Sequence, residues 1–455
     1  MNILTLTDSY KVSHYRQYPP NSEHVYAYFE SRGGLYKKTV AAGMQYYRDK
    51  YIAKPITMAD IDAMESLVIA HLGPGAFNRA GWEYILRVHG GYLPIEIKAV
   101  PEGTVLSSGN ILMSVENTDK KVPWLTNYVE SLLVKVWYPT TVASTSYYIK
   151  QLILEALEKS GDPSLITFKL HDFGDRGVSS PESAAIGGVG HLFNFRGTDT
   201  LTSLDMARTY YGCDMAGFSI PASEHSTITS WGREHEVDAY RNMLHQYPEG
   251  SVACVSDSYD IYNACENLWG GVLKEEVLAR DGVLVIRPDS GDPQEVLPKM
   301  LDILGDKFGY TPNRKGYKVL NDKVRVIQGD GVTPQSIPLI MDAVMNAGWS
   351  IDNIAFGSGG GLLQKMDRDT LKFAFKCSSI IIDGEPRDVF KQPITAAWKS
   401  SKAGRLKLTQ DKGIYKTVRE EEGGTNLLRT IYRNGEAFNT DNLDTIRQRT
   451  ESKVY

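Results

Sequence analysis

The sequence predicts an α/β protein whose core is a barrel-like parallel sheet. Two observations carry that expectation. Five short hydrophobic runs, "ITFKLHDFG", "VACVSDS", "VLVIRPDSG", "VRVIQGDG" and "NIAFGSGGG", each end in a polar or glycine-rich loop within residues 165–378. Helical patterns follow at 181–191, 258–280, 293–308 and 334–347. Apolar strands alternating with helices are the pattern of a parallel sheet. A closed barrel and an open doubly wound sheet give the same local sequence. In either, loops leaving the strands gather on one face, where chemistry is built.

The flanking parts differ. Residues 1–164 read as α+β. "HVYAYFESRGG" alternates like a strand and meets a glycine turn. "YLPIEIKAVPEGTVLSSGNILMSVEN" reads as several short strands, and "PWLTNYVESLLVKVWYPTTVASTSYYIKQLILEALEKSG" carries helical periodicity. Residues 379–455 are more polar and strand-like, with turns at "DGEP" and "RNGEA". The net charge of −5 over 455 residues argues against nucleic acid or a membrane surface as the main partner. Cys213, Cys254, Cys265 and Cys377 include no CxxC pair, so neither a zinc site nor a disulfide framework is expected. No apolar run reaches transmembrane length and the first residues turn polar early, so a cytoplasmic setting is expected.

Chemistry-bearing residues cluster at the predicted strand ends. In "AFGSGGGLLQK", Gly357, Gly359, Gly360 and Gly361 allow close backbone approach and positive φ. Such a loop can be a phosphate-binding nest or a flexible turn; Arg368 follows it. "VIRPDSGDP" and "VIQGDGVTP" place Asp289 and Asp330 inside loops, where they can bind a ribose diol, hold magnesium or join buried ion pairs. Arg287 stands two residues before Asp289, so both side chains leave on one side. Asp292 before Pro293 reads as a helix cap. Phe173 is either core or a stacking platform, with Arg176 beside it, and Asp199 is either a helix cap or a ligand acceptor. "GFSIPASEHSTITSWG" sets Glu224 and His225 where a helix begins, with Ser223 as the expected cap. A phosphoribosyl ligand accounts for these features jointly; helix caps account for them only one at a time.

The blocks "TDSYKVSHYRQYPP", "LPIEIKAVPEG", "HDFGDRGVSS", "GTDT", "EHSTIT", "VSDSYDIYNACE", "IRPDSG", "VIQGDGV" and "AFGSGGGLLQK" resemble the nicotinamide phosphoribosyltransferases over nearly the whole chain. The resemblance implies transfer of a phosphoribosyl group from phosphoribosyl pyrophosphate to nicotinamide, giving nicotinamide mononucleotide and pyrophosphate with Mg²⁺. It implies a second domain woven from the chain ends, and a homodimer with shared active sites. In the matching positions Phe173 and the partner's Tyr10 would sandwich the pyridine ring, with Asp199 and Ser219 at the carboxamide. Arg287, Asp289, Gly329 and Asp330 would hold the ribosyl part. Gly359 and Gly360 would hold the 5′-phosphate through backbone N–H groups, joined by the partner's Arg368, and Arg176 would face the pyrophosphate. Arg32, Lys376, Lys391 and Lys399 match further basic positions. His225 would take a phosphate from ATP, oriented by Glu224 and Asp257. Asp175 stands where the family pattern has tyrosine. The rival reading is a nicotinate phosphoribosyltransferase of related fold, which the carboxylate of Asp199 disfavours.

Overall fold

The computed structural model describes residues 2–395 and 400–451; Lys399 lies outside them. The chain forms two compact units: Met1–Ser144, Ala207–Cys213 and Met366–Tyr455 make the first, Thr145–Met206 and Asp214–Lys365 the second.

The first unit is built on a seven-stranded antiparallel sheet. Strand Ser22–Ser31 lies between Ile111–Asn117 and Phe373–Ile382, so the two ends of the chain share one sheet. The last seven residues of Ser22–Ser31 are all buried, as an interior strand requires. The domain boundary expected at 378 falls within Phe373–Ile382. The polar run that suggested it is mid-strand, and Ser378 is fully buried with its hydroxyl donating to the Gly404 carbonyl at 2.8 Å. The two expected turns form with left-handed residues, Asp383–Gly384 at φ 52° and 80° and Asn434–Gly435 at 51° and 97°.

The second unit holds six parallel strands: β1 (Leu170–Asp172), β2 (Gly197–Thr198), β3 (Val252–Val255), β4 (Leu284–Arg287), β5 (Val324–Gln328) and β6 (Ile354–Ser358). Their order is β2-β1-β6-β5-β4-β3. One extended segment occupies both edges: Phe218 bridges Gly197 of β2, and Ala222 bridges Ala253 of β3. The backbone bonds Thr198 N to Phe218 O (3.1 Å) and Ala253 N to Pro221 O (2.9 Å) make those bridges. The sheet therefore curls into a half-barrel, with the edge segment bridging both of its outer strands. Val252, Cys254, Leu284, Ile286, Val324, Val326, Ile354 and Phe356 are buried in its core beside Leu297, Met300, Ile337 and Ile340 of the covering helices Pro293–Phe308 and Ser336–Asn346. Asp292 caps the first of these through Gln294 N at 2.9 Å, as expected. The helix expected over 258–280 is instead three pieces, Ile261–Asn263, a wider-wound Ala264–Val272 and Lys274–Ala279. The bond from Leu273 N to Leu268 O, one residue longer than an α-helical bond, marks the change of winding beside Gly270 and Gly271. All four cysteines are free. Among the described residues no helix is long and apolar enough to cross a membrane.

Candidate active site

The strand order decides which side chains meet. β1 and β2 pair with Asp172 opposite Thr198, so the next residues, Phe173 and Asp199, leave neighbouring strand ends together. The Phe173 amide donates to the Ser358 carbonyl at 3.0 Å. Its half-buried ring is no core residue; it fills the space that Gly357 leaves on β6, where a Cβ would stand 1.9 Å from Phe173 Cε2. The carboxylate of Asp199 accepts from the Ser219 hydroxyl, and the following helix starts only at Leu201. Ser219 reaches Asp199 because the edge segment runs beside β2. Burial lowers the pKa of His171, one strand position before Asp172, while Asp199 raises it.

Beyond β4 and β5, Arg287 Nη2 lies 3.3 Å from Asp289 Oδ2, so the two side chains do share a side and form an ion pair. Arg287 Nε is buried with no partner among the described residues. Gly329, at the end of β5, faces this pair and Phe173 at once. A Cβ there would lie 3.1 Å from Asp289 Oδ1, 3.6 Å from Arg287 Cδ and 3.7 Å from Phe173 Cε2. Asp330 is exposed beside it.

The edge segment ends beside β3, and this is why His225 meets Asp257. His225 Nε2 is 2.9 Å from Asp257 Oδ1, and Nδ1 is 3.8 Å from Asp289 Oδ2. Asp257, only 4% exposed, also accepts from Asp289 N at 3.1 Å and from the Ser290 hydroxyl. The imidazole is thus flanked by a carboxylate on each ring nitrogen, closely by Asp257 and more distantly by Asp289. Ser223 is not the helix cap. Glu224 holds that position, its amide donating to Thr227 Oγ1 at 3.2 Å, while Ser223 is buried and accepts from Val255 N at 2.9 Å. The Glu224 carboxylate bonds the Ser226 hydroxyl.

At the end of β6, Gly359 precedes the short helix Gly360–Leu363. None of Gly357, Gly359, Gly360 or Gly361 adopts positive φ, contrary to expectation. Gly357 and Gly361 are glycines for room: besides the Phe173 ring at Gly357, a Cβ on Gly361 would lie 2.7 Å from the Val332 carbonyl. Arg176 is exposed on the neighbouring turn Asp175–Gly177, and a Cβ on Gly177 would stand 3.4 Å from Gly360 N.

The remaining predicted residues lie in the first unit. Tyr10 is 60% exposed. Arg32 pairs with buried Glu30 at 3.0 Å, and exposed Arg368 lies 3.5 Å from Asp369. Burial lowers the pKa of Lys376; Glu130 opposes this, and Arg32, Lys391 and Arg368 push it further down, so these four cations share one field. Sequence reasoning missed Asp172, Ser290 and the structural part of Gly357. The Asp172–Gly174 spacing was visible as a possible turn; the others depend on strand order.

Comparison with known proteins bears on this arrangement. The nicotinate phosphoribosyltransferase (NAPRTase) family profile matches residues 168–436, and the nicotinamide phosphoribosyltransferase N-terminal domain matches 2–97. A nicotinamide phosphoribosyltransferase of Xanthomonas campestris pv. campestris is 50% identical over 99% of this chain and 98% of its own. That of Acinetobacter baylyi is 32% identical over 100% and 98%. The fold is shared with the nicotinate-nucleotide pyrophosphorylase from Pyrococcus furiosus (TM-score 0.62, 16% identity, 99% of this chain and 95% of that one). It is shared also with human nicotinic acid phosphoribosyltransferase (TM-score 0.54, 15% identity, 98% and 93%). With its aromatic and acidic strand ends on a barrel-like parallel sheet, and a relative half identical over its full length, the chain belongs to the nicotinamide phosphoribosyltransferase family.

Proposed function

We propose that this protein transfers the phosphoribosyl group of phosphoribosyl pyrophosphate to nicotinamide in NAD salvage, coupled to ATP hydrolysis through a phosphohistidine at His225. The observation that carries the base assignment is the β1–β2 register, which sets an aromatic ring, Phe173, next to a carboxylate, Asp199. A flat ring bearing an amide suits that pair: the ring stacks, the amide N–H donates to Asp199, and nicotinate is repelled. Ser219 fixes the carboxylate that does this.

The pyridine nitrogen forms its bond to C1 of the ribose as the C1–oxygen bond to pyrophosphate breaks, through an oxocarbenium-like state. The chain contributes positioning and fixed charge. Arg287 and Asp289 hold the ribosyl hydroxyls with Gly329 and Asp330. The amides of Gly359 and Gly360 hold the 5′-phosphate, and Arg176 meets the leaving group. Among the described residues no three ligating side chains gather as a ready-made metal cage. Mg²⁺ is commonly held by one or two carboxylates plus substrate phosphates, which fits Asp289 and Asp330 in the loops that follow the adjacent strands β4 and β5. When bound, the ion would neutralise the departing pyrophosphate. A second copy of the chain supplies Tyr10 and Arg368, with Arg32, Lys376, Lys391 and Lys399 as the surrounding basic set.

His225 is supported as the phosphoryl acceptor by its geometry: Asp257 orients the ring through Nε2, and the half-exposed imidazole presents Nδ1 on the side of Asp289. A phosphate there would alter affinity for the anionic substrate nearby. The assignment of the base pocket is tested by Asp199→Asn. Its preference for nicotinamide over nicotinate should fall by about tenfold or more, as a charge-assisted bond of about 1.5–3 kcal/mol is lost. Unchanged selectivity would place the carboxamide contact elsewhere.

A further inference from the structure

One buried carboxylate beside the site has no part in the reaction as described above. Asp172, at the end of β1, is fully buried. Its Oδ1 accepts from the Gly174 amide at 2.8 Å, directly across Phe173. Its Oδ2 accepts from the Thr198 hydroxyl at 3.4 Å, one residue before Asp199. Its carbonyl accepts from the Asp199 amide at 2.9 Å. Thr198 Oγ1 in turn accepts from the Thr200 amide at 3.0 Å, so both loops are held on each side of their functional residue. Gly188 lets helix Pro181–Leu192 close over the carboxylate: a Cβ there would stand 3.1 Å from Asp172 Oδ2.

A carboxylate is a costly residue to bury. Burial pushes its pKa up to about 6, with Asp199 adding repulsion, while the Gly174 amide and the Thr198 hydroxyl oppose the rise. An asparagine would keep the Gly174 bond but would turn an amide N–H₂ toward Thr198 or lose that partner. The carboxylate accepts from both loops and carries the charge that strengthens the Gly174 bond; asparagine reverses the Thr198 bond and removes that charge.

We propose that Asp172 is a positioning residue that fixes the Phe173 ring and the Asp199 carboxylate relative to each other, and thereby sets recognition of the base. The proposal rests on the reading of Phe173 and Asp199 as the nicotinamide pocket. It makes Asp172 specific for one substrate of two, which a merely structural carboxylate would not be.

The test compares wild type, Asp172→Asn, Thr198→Val, Thr198→Ser and Phe173→Ala by KM for nicotinamide and KM for phosphoribosyl pyrophosphate. Asp172→Asn and Thr198→Val should raise the nicotinamide KM by about three- to tenfold, the scale of one ordinary hydrogen bond, and leave the other KM within about twofold. Thr198→Ser, which keeps the hydroxyl, should behave as wild type. A folded Asp172→Asn with an unchanged nicotinamide KM, or with both KM values rising in parallel, overturns the proposal. If Asp172→Asn fails to fold, the Val and Ser variants at Thr198 decide on the same criterion: equal KM values in the two overturn it. Phe173→Ala separates the two failures. An unchanged nicotinamide KM in that variant removes the base-pocket reading itself, whereas a raised one beside an unaffected Asp172→Asn removes only the positioning role.

Discussion

At the scale of single residues, Gly357 shapes the site by what it lacks. The Phe173 ring occupies the volume of its missing side chain, and a Cβ would lie 1.9 Å from the ring. The backbone at Gly357 is not left-handed, so alanine is allowed there by φ and excluded only by the ring. Gly357→Ala should therefore keep the strand and displace Phe173. Base stacking on an aromatic contributes about 1–3 kcal/mol, so the nicotinamide KM should rise by roughly tenfold or more. Phe173→Ala should do the same, and the double variant should be no worse than either, because one interaction is lost in all three. Additive losses would show that Gly357 acts apart from the ring. The acids at the strand ends were legible in sequence, since carboxylates in loops after hydrophobic runs stand out. The part played by Gly357 was not, because the ring it accommodates comes from another strand, and local reading credited its loop with positive φ instead.

At the scale of elements, the short helix His225–Thr229 carries the proposed phosphoryl acceptor at its first residue. Its start was legible from "SEHST", although the cap moves one residue because Ser223 is held by the Val255 amide. The meeting of His225 with Asp257 was not derivable from local pattern, since it requires the edge segment to run beside β3. With γ-labelled ATP, wild type should acquire an acid-labile, base-stable label that turns over. His225→Ala should lose both the label and ATP stimulation, while Ser226→Ala keeps them. Asp257→Asn should be intermediate, as the imidazole keeps its place and loses the charge that favours phosphoryl acceptance. Undiminished acid-labile labelling of His225→Ala would return this helix to a purely structural part.

At the scale of the whole molecule, strand–helix alternation made the parallel sheet legible, because each βα unit is local. Two features were hidden for a common reason. The edge segment Phe218–Ser223 makes only single bridges to each edge, and the antiparallel sheet pairs residue 22 with residue 382. Neither leaves a periodic trace, as pairing across hundreds of residues is set by packing rather than by local sequence. A homodimer with shared sites predicts complementation. Tyr10→Ala and Asp289→Ala should each be inactive or nearly so, and mixing them under demonstrated subunit exchange should recover part of the activity, since one hybrid site draws both intact residues from different chains. No recovery would count against shared sites. The central claim is tested most directly by pyrophosphate release from phosphoribosyl pyrophosphate and Mg²⁺ with nicotinamide, with nicotinate and with neither, the nucleotide product being identified by mass. The account predicts release matched one to one by nicotinamide mononucleotide, and far slower release with nicotinate. Faster release with nicotinate, or release that no base stimulates, would contradict it.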